Sequence, residues 1–124
     1  MTVVFDAGAL IALERRDARM LALLAEIGDA EMAAYVPAGV LAQVWEGTPR
    51  QAPISRLLKT KAVKVIPLDG PEAFRVGQLL GRSHTSDVID AHVALIAKPL
   101  GALVVTSDPG DIAAIDPGLR IQAL

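Results

Sequence analysis

Short apolar, β-branched runs alternate with helix-period segments along the whole chain, and few folds accept that order. Thr2 to Phe5 reads as a short buried strand, followed by helices over Ala7–Arg15 and Ala18–Ile27. Met32–Val36 reads as a second strand, and a helix from Pro37 to Glu46 follows it, with proline in its favoured first turn. A basic helix is expected over Ala52–Thr60 and a third strand over Val63–Leu68. Asp69-Gly70-Pro71 announces a helix over Glu72–Leu80. Ser86 or Asp87 caps another, which runs to Lys98 and is stopped by Pro99 and Gly101. Ala102–Thr106 is a fourth strand, Ile112–Ile115 a helical turn, and Leu119–Ala123 an edge strand. Strands that alternate with helices are joined by crossovers and pair in parallel. The expectation is an α/β sandwich with a mostly parallel central sheet flanked by helices. In such sheets ligands gather outside the carboxyl ends of the strands.

At 124 residues the chain builds one core, so residues 1–124 are read as a single domain. Apolar residues make up 52% while aromatics are only 3%, a composition that excludes disorder and favours close packing of small aliphatics. Without cysteine there is no disulfide, thiol nucleophile or thiolate metal site. Val3, Val4 and Phe5 reach Asp6 at once, which is not a signal-peptide pattern. The longest nearly apolar stretch, Met32 to Ala42, is short and contains Pro37 and Gly39, so no membrane span is expected and the chain reads as cytoplasmic. A net charge of −2 gives no overall pull toward nucleic acid. The bases nevertheless gather, Arg15, Arg16 and Arg19 in one segment and Arg50, Arg56, Lys59, Lys61 and Lys64 in another. Such runs are either solvated helix faces or a rim that guides phosphates.

The acids narrow the chemistry. Asp6 follows the first strand directly, and Asp108 lies two residues past the fourth. Either alone reads as a helix N-cap or an Asx turn; two at strand ends of one sheet point to a site. Asp90 lies on the flank of an apolar helix face formed by Ile89, Val93 and Ile96, with no base at i±3 or i±4. Asp87 lies about 60° further round by helical geometry, and an N-cap accounts for it equally well. Clustered carboxylates repel until a cation neutralises them, and hard cations such as Mg²⁺ or Mn²⁺ take oxygen ligands. A metal held there polarises a phosphodiester and activates water. His92 points about 160° away from Asp90, which argues against a zinc site shared with it.

Three segments, Val3-Val4-Phe5-Asp6-Ala7-Gly8-Ala9-Leu10, Ser86-Asp87-Val88-Ile89-Asp90-Ala91-His92-Val93-Ala94 and Val104-Val105-Thr106-Ser107-Asp108, resemble in order and spacing the PIN-domain ribonucleases of the VapC toxin type. The resemblance implies a PIN-like three-layer sandwich and a Mg²⁺- or Mn²⁺-dependent endoribonuclease in which Asp6, Asp90 and Asp108 hold or position the metal. It also implies a cytoplasmic homodimer that cleaves RNA and is neutralised by a cognate antitoxin protein. Thr106 or Ser107 would support the acids by hydrogen bonding.

One departure stands out. The family places a Glu on the helix after the second strand, where this chain has Gln43, and Glu46 is the other candidate for the missing charge. On a helix from Pro37, Gln43 lies on the margin of the core face and Glu46 faces away from it. Gln43 gives weight to a rival reading, a catalytically weak or inactive PIN-fold module that binds RNA or protein. A second rival is a phosphotransfer domain of receiver or haloacid-dehalogenase type. Asp6-Ala7-Gly8 lacks the second acid of the dehalogenases, and no Lys stands where a receiver places one. Trp45 reads as core or partner surface rather than a platform for bases.

Overall fold

The computed structural model describes residues 1–124. Four strands and six helices run in the order β1 (Thr2–Phe5), α1 (Ala7–Glu14), α2 (Ala18–Asp29), β2 (Ala33–Pro37), α3 (Ala38–Val44), α4 (Ala52–Leu58), β3 (Val63–Ile66), α5 (Gly70–Ser83), α6 (Val88–Leu100) and β4 (Leu103–Thr106). They are followed by α7 (Pro109–Ile115) and a fifth strand, β5 (Arg120–Ala123), and a short 3₁₀ turn over Pro49–Gln51 leads into α4.

Every strand pairing is parallel, and the sheet order is β3-β2-β1-β4-β5. The sequence alone left room for an antiparallel edge; none forms, because each strand is joined to the next through at least one helix. Packing falls into three layers. Helix α6 lies over β1, β2 and β4 with α5 and α7 beside it, while α1, backed by α2 and α4, lies on the opposite side. The central strands carry almost uninterrupted burial at Val3, Val4, Phe5, Val104 and Val105, as strands covered on both faces must. Chain order reverses between β1 and β4, which opens a crevice at their carboxyl ends. No helix is long and apolar enough to cross a membrane.

Among the element ends that differ from the sequence expectation, those of four helices are the most informative. Helix α3 stops at Val44, not Glu46, and Trp45 is already extended. The side chain of Gln51 accounts for that stop. It is 1% exposed; its Nε2 donates to the Val44 carbonyl at 2.8 Å, and its Oε1 accepts from the backbone N–H groups of Glu46 and Gly47 at 2.8 and 3.1 Å. Pro99 does not end α6 but sits in its last turn, where its missing N–H forfeits one bond, to the Leu95 carbonyl, at the end of the helix. Gly101, at φ 56°, closes the helix in the left-handed conformation that suits glycine. Helix α5 begins at Gly70, since Asp69 Oδ1 accepts from the Glu72 N–H at 3.0 Å, and it continues to Ser83. Helix α7 begins at Pro109, with proline pre-set for the first turn.

Candidate active site

Register brings the first two acids together. Phe5 pairs with Val105, so Asp6 and Thr106 emerge side by side at the crevice between β1 and β4, and the Asp6 N–H donates to the Val105 carbonyl at 3.0 Å. Asp6 is 4% exposed and Thr106 fully buried. Asp6 Oδ1 accepts from the Ala7 N–H at 2.7 Å, so it caps α1, while its Oδ2 accepts from Thr106 Oγ1 at 2.8 Å. The same Thr106 oxygen accepts from the Asp108 N–H at 2.9 Å. One hydroxyl thus fixes both the floor carboxylate and the backbone that carries the second acid. Asp108 occupies the cap position of α7 without using its carboxylate as a cap, which leaves that group free at the exposed rim.

The turn after β4 is pressed close to α1. A Cβ on Gly8 would come within 2.7 Å of Ser107 Cβ and 2.9 Å of its backbone nitrogen, so only glycine lets the two loops approach this closely. Ser107 thus makes the close contact with Gly8 that sets this spacing.

Helix α6 supplies the opposite wall. Asp87 is its N-cap, its Oδ1 accepting from the Asp90 N–H at 2.8 Å. Asp90 is half-buried. Burial, then the charges of Asp6, Asp87, Asp111 and Asp108, push its carboxyl up to about 7. Asp6 is raised as well, burial outweighing the hydrogen bonds from Thr106 and Ala7 that favour its ionised form, with Asp108 and Asp87 adding to the rise. Every charge that acts on these two carboxyls is another carboxylate.

Asp111 escaped the sequence reading. It lies in the first turn of α7, three residues after Asp108 and hence on the same side of that turn. The spacing was the available signal. The two residues weighed for the missing charge are placed differently. Glu46 has left the helix and faces solvent, with Arg50 Nη2 at 3.3 Å from its Oε2. Gln43 is exposed on α3, one turn beyond Gly39, whose absent Cβ leaves room for Ile89 of α6 at 3.2 Å. Four residues apart, Gly39 and Gln43 share one face of α3, the face turned toward α6. His92 is buried on the far side of α6 with Nε2 3.5 Å from Glu72 Oε2, and burial holds its pKa down despite that neighbour.

No three carboxylate or imidazole groups stand close enough together to enclose a cation. A hard cation that keeps most of its water shell needs only one or two direct carboxylates. The donor set suits such an ion, being oxygen only, with a desolvated acid at its floor and no base to neutralise it. Replacing Thr106 by Val, equal in shape, removes both of its hydrogen bonds. The expected cost is about 1–3 kcal/mol at pH 8, together with weaker Mn²⁺ binding, while Thr106→Ser restores both. Denaturant melts and calorimetric Mn²⁺ titration check this, and a Val variant indistinguishable from wild type in both would refute the bridging role.

The sheet order separates the chain from receiver-like domains, whose order is 2-1-3-4-5. Comparison with solved structures agrees at the level of fold. The chain is similar to VapBC2 from Rickettsia felis bound to a DNA fragment from their promoter, with TM-score 0.70 and 15% identity over 99% of this chain and 98% of that one. It is similar to FitAcB from Neisseria gonorrhoeae, with TM-score 0.63 and 19% identity over 96% of this chain and 95% of that one. A third similar structure, PAE2754 from Pyrobaculum aerophilum, has TM-score 0.61 and 22% identity over 98% and 92%. Among curated proteins no sequence matches. The PIN domain model, by contrast, matches residues 3–116, which hold four of the five strands and all five acids of the crevice. The chain belongs to the PIN-domain family.

Proposed function

We propose that the chain is a metal-dependent endoribonuclease, a toxin of the VapC type that a cognate antitoxin protein neutralises. The observation that carries this reading is the convergence of Asp6, Asp87, Asp90, Asp108 and Asp111 on one crevice with no base among them. PIN domains are generally nucleases, and the similar structures named above include toxin–antitoxin complexes, which supports the toxin reading. Asp6, Asp90 and Asp108 would hold Mg²⁺ or Mn²⁺, directly or through water. When bound, the ion supplies charge stabilisation to a cleaved phosphodiester and lowers the pKa of water. The chain's own part is positional. Thr106 orients Asp6 Oδ2, Asp87 fixes the first turn of α6 beneath Asp90, and the Gly8–Ser107 contact holds the Asp108 turn against α1.

The test is cleavage of single-stranded or loop RNA with and without metal. Expected are cleavage in Mg²⁺ or Mn²⁺, its loss in EDTA, and its loss in a folded Asp6→Asn variant. Robust cleavage in excess EDTA would remove the metal reading. RNA binding without cleavage in Mn²⁺ would select the inactive binding module that Gln43 suggests.

A homodimer is part of the same reading, and α5 offers a surface for it. Phe74 is 79% exposed and lies beside Ala73, Gly77 and Gln78 in a shallow hollow. An aromatic so exposed on a helix with a neighbouring glycine is suited to packing against a second helix. Phe74→Asp should turn a dimer into a monomer in sedimentation at tens of micromolar, with thermal stability within about 0.5 kcal/mol per chain after dilution to the monomer. A wild-type monomer at that concentration would count against the dimer, and an unshifted Asp variant against this face.

A further inference from the structure

The tryptophan set aside in the sequence reading lies in the open. Trp45 is 43% exposed at the end of α3, where the backbone has turned extended. It lines a hollow of about 440 Å³ with Thr48, Ser55, Arg56 and Lys59. Three observations make this a built surface rather than a stray aromatic. The loop that presents the indole is clamped from below by Gln51, which bonds to Val44, Glu46 and Gly47. Gly47, at φ 77°, turns the chain with its absent Cβ only 3.8 Å from the indole Nε1. Thr48, in the wall of the hollow, keeps a buried hydroxyl that has no hydrogen-bond partner.

The charges on the hollow are one-sided. Arg56 and Lys59 are exposed, three residues apart on α4 and its cap, and neither belongs to an ion pair. Arg50 nearby is already engaged by Glu14 and Glu46. An exposed aromatic face beside two free bases is the combination that binds single-stranded nucleic acid, the base stacking and the backbone phosphate meeting the cations. The hollow lies at the far end of α3 from the carboxyl ends of the strands, and a seven-residue helix spans roughly 10 Å. A few nucleotides cover that distance.

We propose that the Trp45 hollow is a nucleotide subsite for single-stranded RNA, in which one base stacks on the indole and an adjacent phosphate lies between Arg56 and Lys59. The subsite rests on the proposed RNA substrate. It adds to that reading a hold on the strand outside the acidic crevice, which is itself repulsive to phosphate until a cation is present.

Trp45 is the only tryptophan, so its emission reports this hollow alone. The experiment titrates the chain with a fluorescein-labelled single-stranded oligoribonucleotide in EDTA, and with a cleavage-resistant phosphorothioate version in Mg²⁺. Anisotropy of the label reports binding anywhere on the chain. Expected are a rise in anisotropy and a matching, saturable quench of Trp45, neither reproduced by inorganic phosphate. Trp45→Phe should keep affinity within about threefold, whereas Trp45→Ala should weaken it about tenfold or more. Arg56→Gln with Lys59→Gln should weaken it further at low salt and reduce the salt slope by about one to two. Anisotropy that rises while Trp45 emission stays constant would overturn the subsite and leave the RNA substrate standing. No rise under either condition would overturn both. A change in Trp45 emission that follows protein concentration without RNA, with a matching sedimentation shift, would make the face a contact between copies and overturn the subsite.

Discussion

Asp90→Asn is expected to abolish cleavage and, in the absence of metal, to make the protein more stable. The Asp90 carboxyl is raised from 3.8 to about 7, first by burial and then by Asp6, Asp87, Asp111 and Asp108. In the unfolded chain the same group ionises near its ordinary value, so between about pH 4 and 7 the folded state binds more protons. Stability therefore falls as pH rises through that window, and the full penalty applies above 7. A shift of this size corresponds to roughly 4 kcal/mol in a dry site, and partial exposure to solvent reduces it to roughly 1–2 kcal/mol. Asn removes that penalty. In EDTA at pH 8 the variant should melt about 5 °C higher than wild type. Its stability should also depend less on pH between 4 and 7, the remaining slope coming from Asp6, which is raised too.

Metal should invert the comparison. Mn²⁺ raises the melting temperature of wild type above pH 7, where Asp90 is ionised, and raises that of Asp90→Asn much less. Cleavage by the variant should drop by about 100-fold or more, because the lost charge belongs to the proposed metal site. A variant no more stable than wild type in EDTA at pH 8, with the same pH profile, would show that the acids do not strain one another as the structure indicates.

Much of this arrangement was legible in the sequence because local period and strand-end position suffice for it. Asp6 and Asp108 were recognisable as acids just past buried strands, and Asp90 as an acid on the flank of an apolar helix with no base to pair it. The bridge through Thr106 was only half legible. Adjacent sequence suggested a hydroxyl near Asp108, but its bond to Asp6 spans the chain and follows from the pairing of Phe5 with Val105. Asp111 was legible only as a spacing, three residues after Asp108, because which way the turn after β4 faces is a tertiary property. Cap positions accounted for Asp6 and Asp87 as readily as a metal did, and the structure shows both acids capping helices while facing the crevice. One carboxylate does both, because the N-terminal end of a helix favours negative charge. What the sequence could not disclose were ends set by distant side chains. Gly47 and Pro49 mark a stop in the sequence, but the residue whose side chain sets it at Val44 arrives six positions after Trp45.

That residue gives the largest expected loss of stability. Gln51→Ala removes a buried side chain that satisfies the Val44 carbonyl and the amides of Glu46 and Gly47. Each buried backbone group left without a partner costs about 1–3 kcal/mol, less where water can enter the space the amide vacates. The sum expected at this site is roughly 3 kcal/mol, or a melting temperature lower by about 10 °C or more. Gln51→Met separates the causes, since it keeps most of the volume and forms none of the bonds; it should recover only the cavity part of the loss. Gln51→Glu should not rescue either, because a carboxylate cannot donate to the Val44 carbonyl and would be charged in a buried position. The damage should be local before it is global. Trp45 emission should move toward that of a solvated indole at temperatures where the crevice still responds to Mn²⁺, because α3 and its loop lie outside the β1–β4 register that assembles the acids. Urea unfolding of the three variants, followed at Trp45 and by far-UV circular dichroism, measures both parts. A Gln51→Ala protein within about 0.5 kcal/mol of wild type would mean that water replaces the side chain at no cost, and the clamp would lose its role in holding the Trp45 loop.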